Sequence, residues 1–302
     1  MAINDNDFGT DGGECIGVAL SQNENLRVLK ISENDLKSEG AIPIINSSGN
    51  LETLNLAKNN LRFDVGKPLE RLLKKSRSLK KLSLEYNELM VHGTKALAQG
   101  IQRNHSLESL NIKGNVIGDQ GMILLAQSLK NAPNLRELDV SLNEIGPTGF
   151  QMLCEVLPLT NLQTLVCNKN FLGNPILEFF AQVIMGDGPG ATKLRKFDFS
   201  SCRLNDVGLM HLINSLERNK KISAIKLADN FFSEQVEAMM LETLNKNTTL
   251  VDIGLQGNRF SHSCLAKIKK IAQRNVKMIE EQEPNKLKAE IYKLRYEHSK
   301  LE

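Results

Sequence analysis

Leu107-Glu-Ser-Leu110-Asn-Ile112-Lys-Gly-Asn115-Val-Ile117 is answered further along by Leu135-Arg-Glu-Leu138-Asp-Val140-Ser-Leu-Asn143-Glu-Ile145. Both stretches put apolar residues at the first, fourth, sixth and eleventh positions and asparagine at the ninth. Leu110-x-Ile112 has the two-residue period of a strand with one face turned inward. The frame also fits Leu26/Leu29/Ile31/Asn34/Leu36, Leu51/Leu54/Leu56/Asn59/Leu61 and Leu79/Leu82/Leu84/Asn87/Leu89. It continues through Leu162/Leu165/Cys167/Asn170/Leu172 and Leu194/Phe197/Phe199/Cys202/Leu204. Ile222/Ile225/Leu227/Asn230/Phe232 and Leu250/Ile253/Leu255/Asn258/Phe260 complete nine units. Successive asparagine positions, one of them filled by Cys202, are 25, 28, 28, 28, 27, 32, 28 and 28 residues apart.

Six residues after each asparagine position stands a second mark: Gly12, Gly40, Gly93, Gly121, Gly149 and Gly208, with Val65, Ile176, Val236 and Cys264 as replacements. Apolar residues follow at helical spacing, as in Leu97, Ala98 and Ile101 or Leu125, Ala126 and Leu129. Each unit therefore reads as a short strand, an asparagine turn and an amphipathic helix. One such unit cannot bury its apolar face alone, so the units must stack into a common core. The asparagine side chain is placed to satisfy backbone groups of the turn beside it.

In repeat length, and in carrying a true helix per unit, the chain resembles the ribonuclease-inhibitor-like leucine-rich repeats over residues 3–268. The resemblance implies an α/β solenoid of horseshoe form, with parallel strands on the concave face and helices on the convex face. The expected organisation is a solenoid over residues 1–283 and a short helical heptad tail over 284–302. The solenoid comprises a partial first repeat (1–25), nine repeats and a terminal helix.

Three places break the pattern. The chain enters inside a repeat, since Ile3-x-x-Asn6-x-Phe8 matches only the second half of the strand motif. The expectation is an end that is incomplete or completed by a neighbour. Four extra residues fall in the glycine-rich stretch 185–193, whose default reading is a tolerated surface insertion. It lacks the Lys-Ser/Thr ending of a phosphate loop and precedes a strand rather than a helix. Beyond Pro284, Leu287, Ile291, Leu294, His298 and Leu301 form a two-heptad seam, suited to a partner helix or to a cap.

Of the five cysteines, Cys154, Cys167, Cys202 and Cys264 sit at packing positions of the repeat, where a thiol behaves as a small hydrophobe. The five histidines occupy unrelated positions. No nucleophile elbow, zinc-protease motif or Walker loop occurs, so the reading is non-enzymatic, with no catalytic, metal or cofactor residues. Outward strand positions then remain as the partner surface: Lys30, Asn55, Lys81, Glu85, Asn111, Lys113, Glu137, Asp139, Asn168, Asp198, Lys226, Asp252 and Gln256, with Tyr86 beside them. The heptad residues Leu287, Ile291, Leu294 and Leu301 are a second candidate. This face is small-residued, polar and of mixed charge, poor in the Trp, Tyr and Arg anchors of tight interfaces. Basic clusters at Lys74–Arg77, Lys80-Lys81, Arg218–Lys221 and Lys267–Lys270 read first as cations at helix C-termini.

With 302 residues and a net charge of +3, the chain has neither the basicity of nucleic-acid binders nor an apolar run suited to a membrane. An odd, scattered set of cysteines and an N-terminus without signal-peptide character point to a reducing compartment, the cytoplasm. The expected partners are proteins, not nucleic acid, membrane or a small molecule. In layout the chain resembles cytoskeletal or ciliary (axonemal) scaffold members of the repeat class. The alternative is a small-GTPase regulator resembling the Ran GTPase-activating type. That family ends in an acidic tail, whereas residues 277–302 here mix Lys, Arg and Glu.

Overall fold

The computed structural model describes residues 1–186 and 191–282. Its first five repeats alternate α1 (Gly9–Ser21), β1 (Val28–Lys30), α2 (Lys37–Ser47), β2 (Thr53–Asn55), α3 (Gly66–Lys75), β3 (Lys81–Ser83), α4 (Met90–Ile101), β4 (Ser109–Asn111), α5 (Gly118–Leu129) and β5 (Glu137–Asp139). The chain continues through α6 (Pro147–Val156), β6 (Thr164–Val166), α7 (Pro175–Met185), β7 (Lys196–Asp198), α8 (Asp206–Arg218), β8 (Ala224–Lys226), α9 (Glu237–Lys246), β9 (Asp252–Gly254) and α10 (His262–Gln282). The nine strands form one parallel sheet in sequence order. The middle residue of each strand pairs with the same position in the next, Leu29 with Leu54, Leu82, Leu110, Leu138, Leu165, Phe197, Ile225 and Ile253. This is a leucine-rich-repeat solenoid. Its curvature follows from two spacings: paired strands sit about 4.8 Å apart, while packed helices need about 8–10 Å. The strand side must therefore be the concave one.

The asparagines do more than close their own turns. Those from Asn34 to Asn230 are buried, Asn258 is half-buried, and all bridge to the repeat before. The Asn143 amide group donates to the Ile112 and Ser141 carbonyls at 2.9 and 3.0 Å, while its oxygen accepts the Asn115 backbone N–H at 2.8 Å. Asn59, Asn87, Asn115, Asn170, Asn230 and Asn258 repeat this, giving a ladder that runs through the core beside the sheet. The residue before each asparagine position is left-handed throughout, from Asp5 to Gly257, with φ between 50° and 73°. That kink turns the strand end so that the following side chain points inward.

The ladder has one substituted rung. Cys202 keeps the position, its thiol lying 3.3 Å from the Cys167 carbonyl oxygen and 3.4 Å from that of Ser200. A thiol is a weak donor and acceptor, so this rung is the weakest. The core around it is aromatic instead of leucine-rich. Phe180 packs edge-on against Phe199 and Phe197 at 4.8 and 4.9 Å, and Phe150 against Phe199 at 5.2 Å.

Helix starts are also tied across repeats. One carboxylate oxygen of Asp119 in α5 accepts the Gly146 and Gly149 amides at the start of α6, at 2.7 and 2.9 Å. Asp206 in α8 likewise accepts from Ser233, and Glu237 in α9 from Ser261. The glycine slot explains the close fit, since a Cβ on Gly149 would stand 2.7 Å from Asp119 Oδ1 and 2.9 Å from its Cα. Where valine fills the slot, at Val65 and Val236, the helix is preceded by a 3-10 turn, Phe63–Val65 or Glu234–Val236.

At the two ends, residues 1–5 run alongside β1: the Lys30 carbonyl accepts the Ile3 amide at 2.9 Å, and the Lys30 amide donates to the Met1 carbonyl at 3.0 Å. At the other end α10 closes over α9. Arg274 donates to the Asn245 and Asn247 carbonyls at 3.0 and 2.8 Å, and Asn275 to those of Asn247 and Leu250. The carbonyls at the C-terminal end of α9 are thus capped by a guanidinium. The heptad seam at Leu287, Ile291, Leu294 and Leu301 lies outside the described residues, as do 187–190 of the glycine-rich stretch.

Candidate functional site

Outward positions on the sheet form three registered rows. The first row holds Lys81, Glu137 and Asp252, the second Lys30, Asn55, Asn111, Asp139, Asp198 and Lys226. The third, just past the strands, holds Glu85, Lys113, Asn168 and Gln256, joined by the continuing backbone ladder. The sequence frame therefore names side chains that do share one surface, uncovered by any helix among the described residues.

Five of the fourteen form a cluster in repeats three to five. The Lys113 ammonium lies 2.9 Å from Glu85 and 4.9 Å from the centre of the Tyr86 ring. Asn111 donates to the other Glu85 oxygen at 3.0 Å. Burial alone would lower the Lys113 pKa, but the hydrogen bond and charge of Glu85, with Tyr86, raise it above the usual lysine range. Asp139 completes the group. Burial pushes its carboxyl above the ordinary value, opposed by the hydrogen bond from the Ser141 amide and by the charge of Lys113. Tyr86 is 41% exposed, because a left-handed φ of 50° turns it away from the core. It lies flat against Gly114, whose Cβ would meet the ring at 2.7 Å. Together these groups offer a fixed cation, a half-buried carboxyl and an aromatic surface on one face.

Elsewhere on the face the structure brings less together. Asn168 donates to Asp198 at 3.2 Å. Asn55, Asn111, Asp139 and Asp198 each commit one oxygen to the amide two residues on, at 2.9–3.0 Å, as turn residues do. Lys30, Lys81, Glu137, Lys226, Asp252 and Gln256 are spread along the rows.

Cys154, Cys167, Cys202 and Cys264 are buried and free, as their repeat positions imply. Burial pushes the Cys202 thiol up to about 12 and that of Cys264 up to about 11, away from nucleophilic character. No group of three metal-ligating side chains occurs among the described residues, and none of their helices is long and apolar enough to cross a membrane. The basic helix ends are partly neutralised within the chain. Lys74 contacts Glu70, and Lys80 lies 3.4 Å from Glu52.

Two aromatics escaped the sequence frame. Phe171 and Phe231 follow the asparagine position directly and are 46% and 62% exposed. The signal lay in the doublets Phe171-Leu172 and Phe231-Phe232, where the frame has room for one inward residue and the other must face out.

The family comparison agrees with this frame. A profile of the Leucine Rich repeat family matches residues 22–44, 103–126, 131–154 and 190–212. Each of these segments spans a strand and all or most of the helix after it. Among solved structures, the chain is similar to leiomodin-1 actin-binding site 2, at 16% identity and a TM-score of 0.46. That likeness covers 55% of this chain and 94% of the other. No curated protein matches the chain in sequence.

Proposed function

We propose that this protein is a non-enzymatic interaction scaffold. Its concave face grips a protein partner, and the solenoid works as a component of a larger cytoplasmic assembly, cytoskeletal or ciliary. One observation carries the reading: an uncovered nine-stranded sheet face bearing the Lys113–Glu85–Tyr86–Asp139 cluster. A repeat protein's binding surface is the continuous face its stacked units share, and a flat polar face with one aromatic anchor suits a long, shallow contact.

Co-sedimentation of the full chain with microtubules and with actin filaments tests the assembly, with Tyr86→Ala and Lys113→Glu as face variants. The expected result is pelleting with one filament at low salt, weakened at least tenfold by either variant. Cross-linking mass spectrometry in the source cell should place the cross-links on the sheet side. No pelleting, together with cross-links confined to the helices, overturns the reading. Stimulated GTP hydrolysis on a small GTPase would replace it with the regulator alternative.

A further inference from the structure

We infer that the loop edge of repeats six to nine is a second binding surface, built for an acidic protein segment carrying apolar side chains. This rests on the scaffold reading and names the chemistry of one partner. The position just after the asparagine lies on one edge of the solenoid in every unit. In the first five units it is Asp35, Asn60, Glu88, Val116 and Glu144, and in the last four Phe171, Arg203, Phe231 and Arg259. The edge therefore changes from acidic to aromatic and cationic along the stack.

The four residues are contiguous. The Arg203 guanidinium lies 4.4 Å from the centre of the Phe171 ring. The Phe231 amide donates to the Leu204 carbonyl at 2.7 Å, and the Arg259 amide to that of Phe232 at 2.9 Å. Among the described residues neither arginine forms an ion pair. On the other half two of the three acids are paired locally: Glu88 with Arg62 at 3.8 Å, and Asp35 with Lys37 at 4.0 Å. Asp206, the acid nearest Arg203 in sequence, spends its carboxylate on the Ser233 amide and hydroxyl, and that of Asp229 is turned against Gly257.

An unpaired guanidinium held over an exposed ring, with a second arginine and a second ring beside it, is what the core of an interface requires. Arginine and aromatics are the side chains most often found as binding anchors, and stacking leaves the guanidinium donors free for carboxylates. Because Arg203 already covers one face of Phe171, that ring cannot sandwich a nucleobase. A carboxylate reaching Arg203 or Arg259 while an apolar side chain lies on Phe231 satisfies every group in the row.

The test uses the full chain and three fluorescein-labelled probes: a twelve-residue peptide alternating Glu and Asp with Leu and Phe, its Lys-for-acid counterpart, and a twelve-nucleotide single-stranded RNA. The acidic peptide is expected to bind, the basic one not. Arg203→Ala and Phe231→Ala should each weaken it at least tenfold, whereas Glu144→Ala and the face variant Tyr86→Ala leave it unchanged. All four side chains are at the surface, and matched thermal melts verify folding. The inference is overturned by binding of the basic peptide, by preference for RNA, by no binding of the acidic peptide, or by equal affinity in the edge variants. If the edge variants bind the peptide like wild type while Tyr86→Ala abolishes filament pelleting, the edge fails and the scaffold reading stands. Loss of filament pelleting and cross-links with peptide binding intact gives the opposite separation.

Discussion

Repeats one to five and repeats six to nine solve one packing problem with different side chains. The first group is near-regular, with leucine strands, an unbroken asparagine ladder and a loop edge whose charges are acidic, two of the three paired. The second replaces the leucines with a phenylalanine cluster, puts Cys202 into the ladder, and carries unpaired arginines and exposed phenylalanines on the edge. What is common to both halves is what the stack needs: strand register, the left-handed residue before the asparagine position, and carboxylate ties to the starts of several helices. What differs is exposed or can be exchanged by volume. Divergence therefore falls where function can be written without unstacking the solenoid.

The largest effects should come from the core. Leu125 and Phe180 stand at the same distance from their asparagines, and both are fully buried. Leu125→Ala should cost about 3 kcal/mol and Phe180→Ala about 4 kcal/mol. A double-mutant cycle separates mere volume from aromatic packing. Phe180→Leu combined with Phe199→Leu should show a coupling of about 1 kcal/mol. Strict additivity in urea unfolding would reduce the phenylalanine cluster to a change of size alone.

The ladder comes next. Asn143→Ala strands the Asn115 amide and removes two donors, so it should cost about 3 kcal/mol. Cys202→Ala gives up only thiol contacts and should cost about 1 kcal/mol. Urea midpoints at unchanged slope would read both. Equal losses would mean that the thiol is a full rung, and the halves would then not differ in this respect.

The strands, helices and inward positions were legible because burial imposes a period on residue type. Leu29, Leu54 and Leu110 had to be apolar, and the pattern records it. The left-handed residues were not legible. Tyr86, Leu142, Lys169 and Asp229 share a backbone conformation but no side-chain character, since the kink is imposed by the buried asparagine that follows. Nor was the inter-repeat reach of the asparagines, because a side chain's partner 28 residues back leaves no mark on its own neighbours. The concave candidates follow the strand register that the frame implies, yet their grouping depended on side-chain length: Lys113 reaches Glu85, whereas Asn55 turns back to its own chain. The loop edge was missed because the frame assigns no role to the position after asparagine.

That position also yields a smaller, stabilising prediction. Val116 is left-handed, with φ of 53°, and 45% exposed. A β-branched residue is strained there. Asparagine tolerates the conformation, so Val116→Asn should raise stability by about 1 kcal/mol. The same change at Phe171, whose φ is not positive, should gain nothing. A gain at Phe171 equal to that at Val116 would mean that relief of exposed apolar surface, not backbone conformation, explains both.

The smallest effect concerns charge at the boundary between the halves. Burial raises the Asp139 pKa, so the folded chain holds this proton more tightly than the unfolded chain. Well below its ordinary value of 3.8 the group is neutral in both states and costs nothing. As pH rises from there through the raised value, ionising it in the fold subtracts stability, and above that value the loss is constant. Asp139→Asn keeps an oxygen to accept the Ser141 amide and removes the charge. The variant should match wild type at low pH and exceed it at neutral pH, with the gap opening through the carboxylate range. Thermal melts across pH would read it. A variant less stable at neutral pH would show instead that attraction to Lys113 outweighs burial, and that the concave cluster is held together by its charges rather than by its packing.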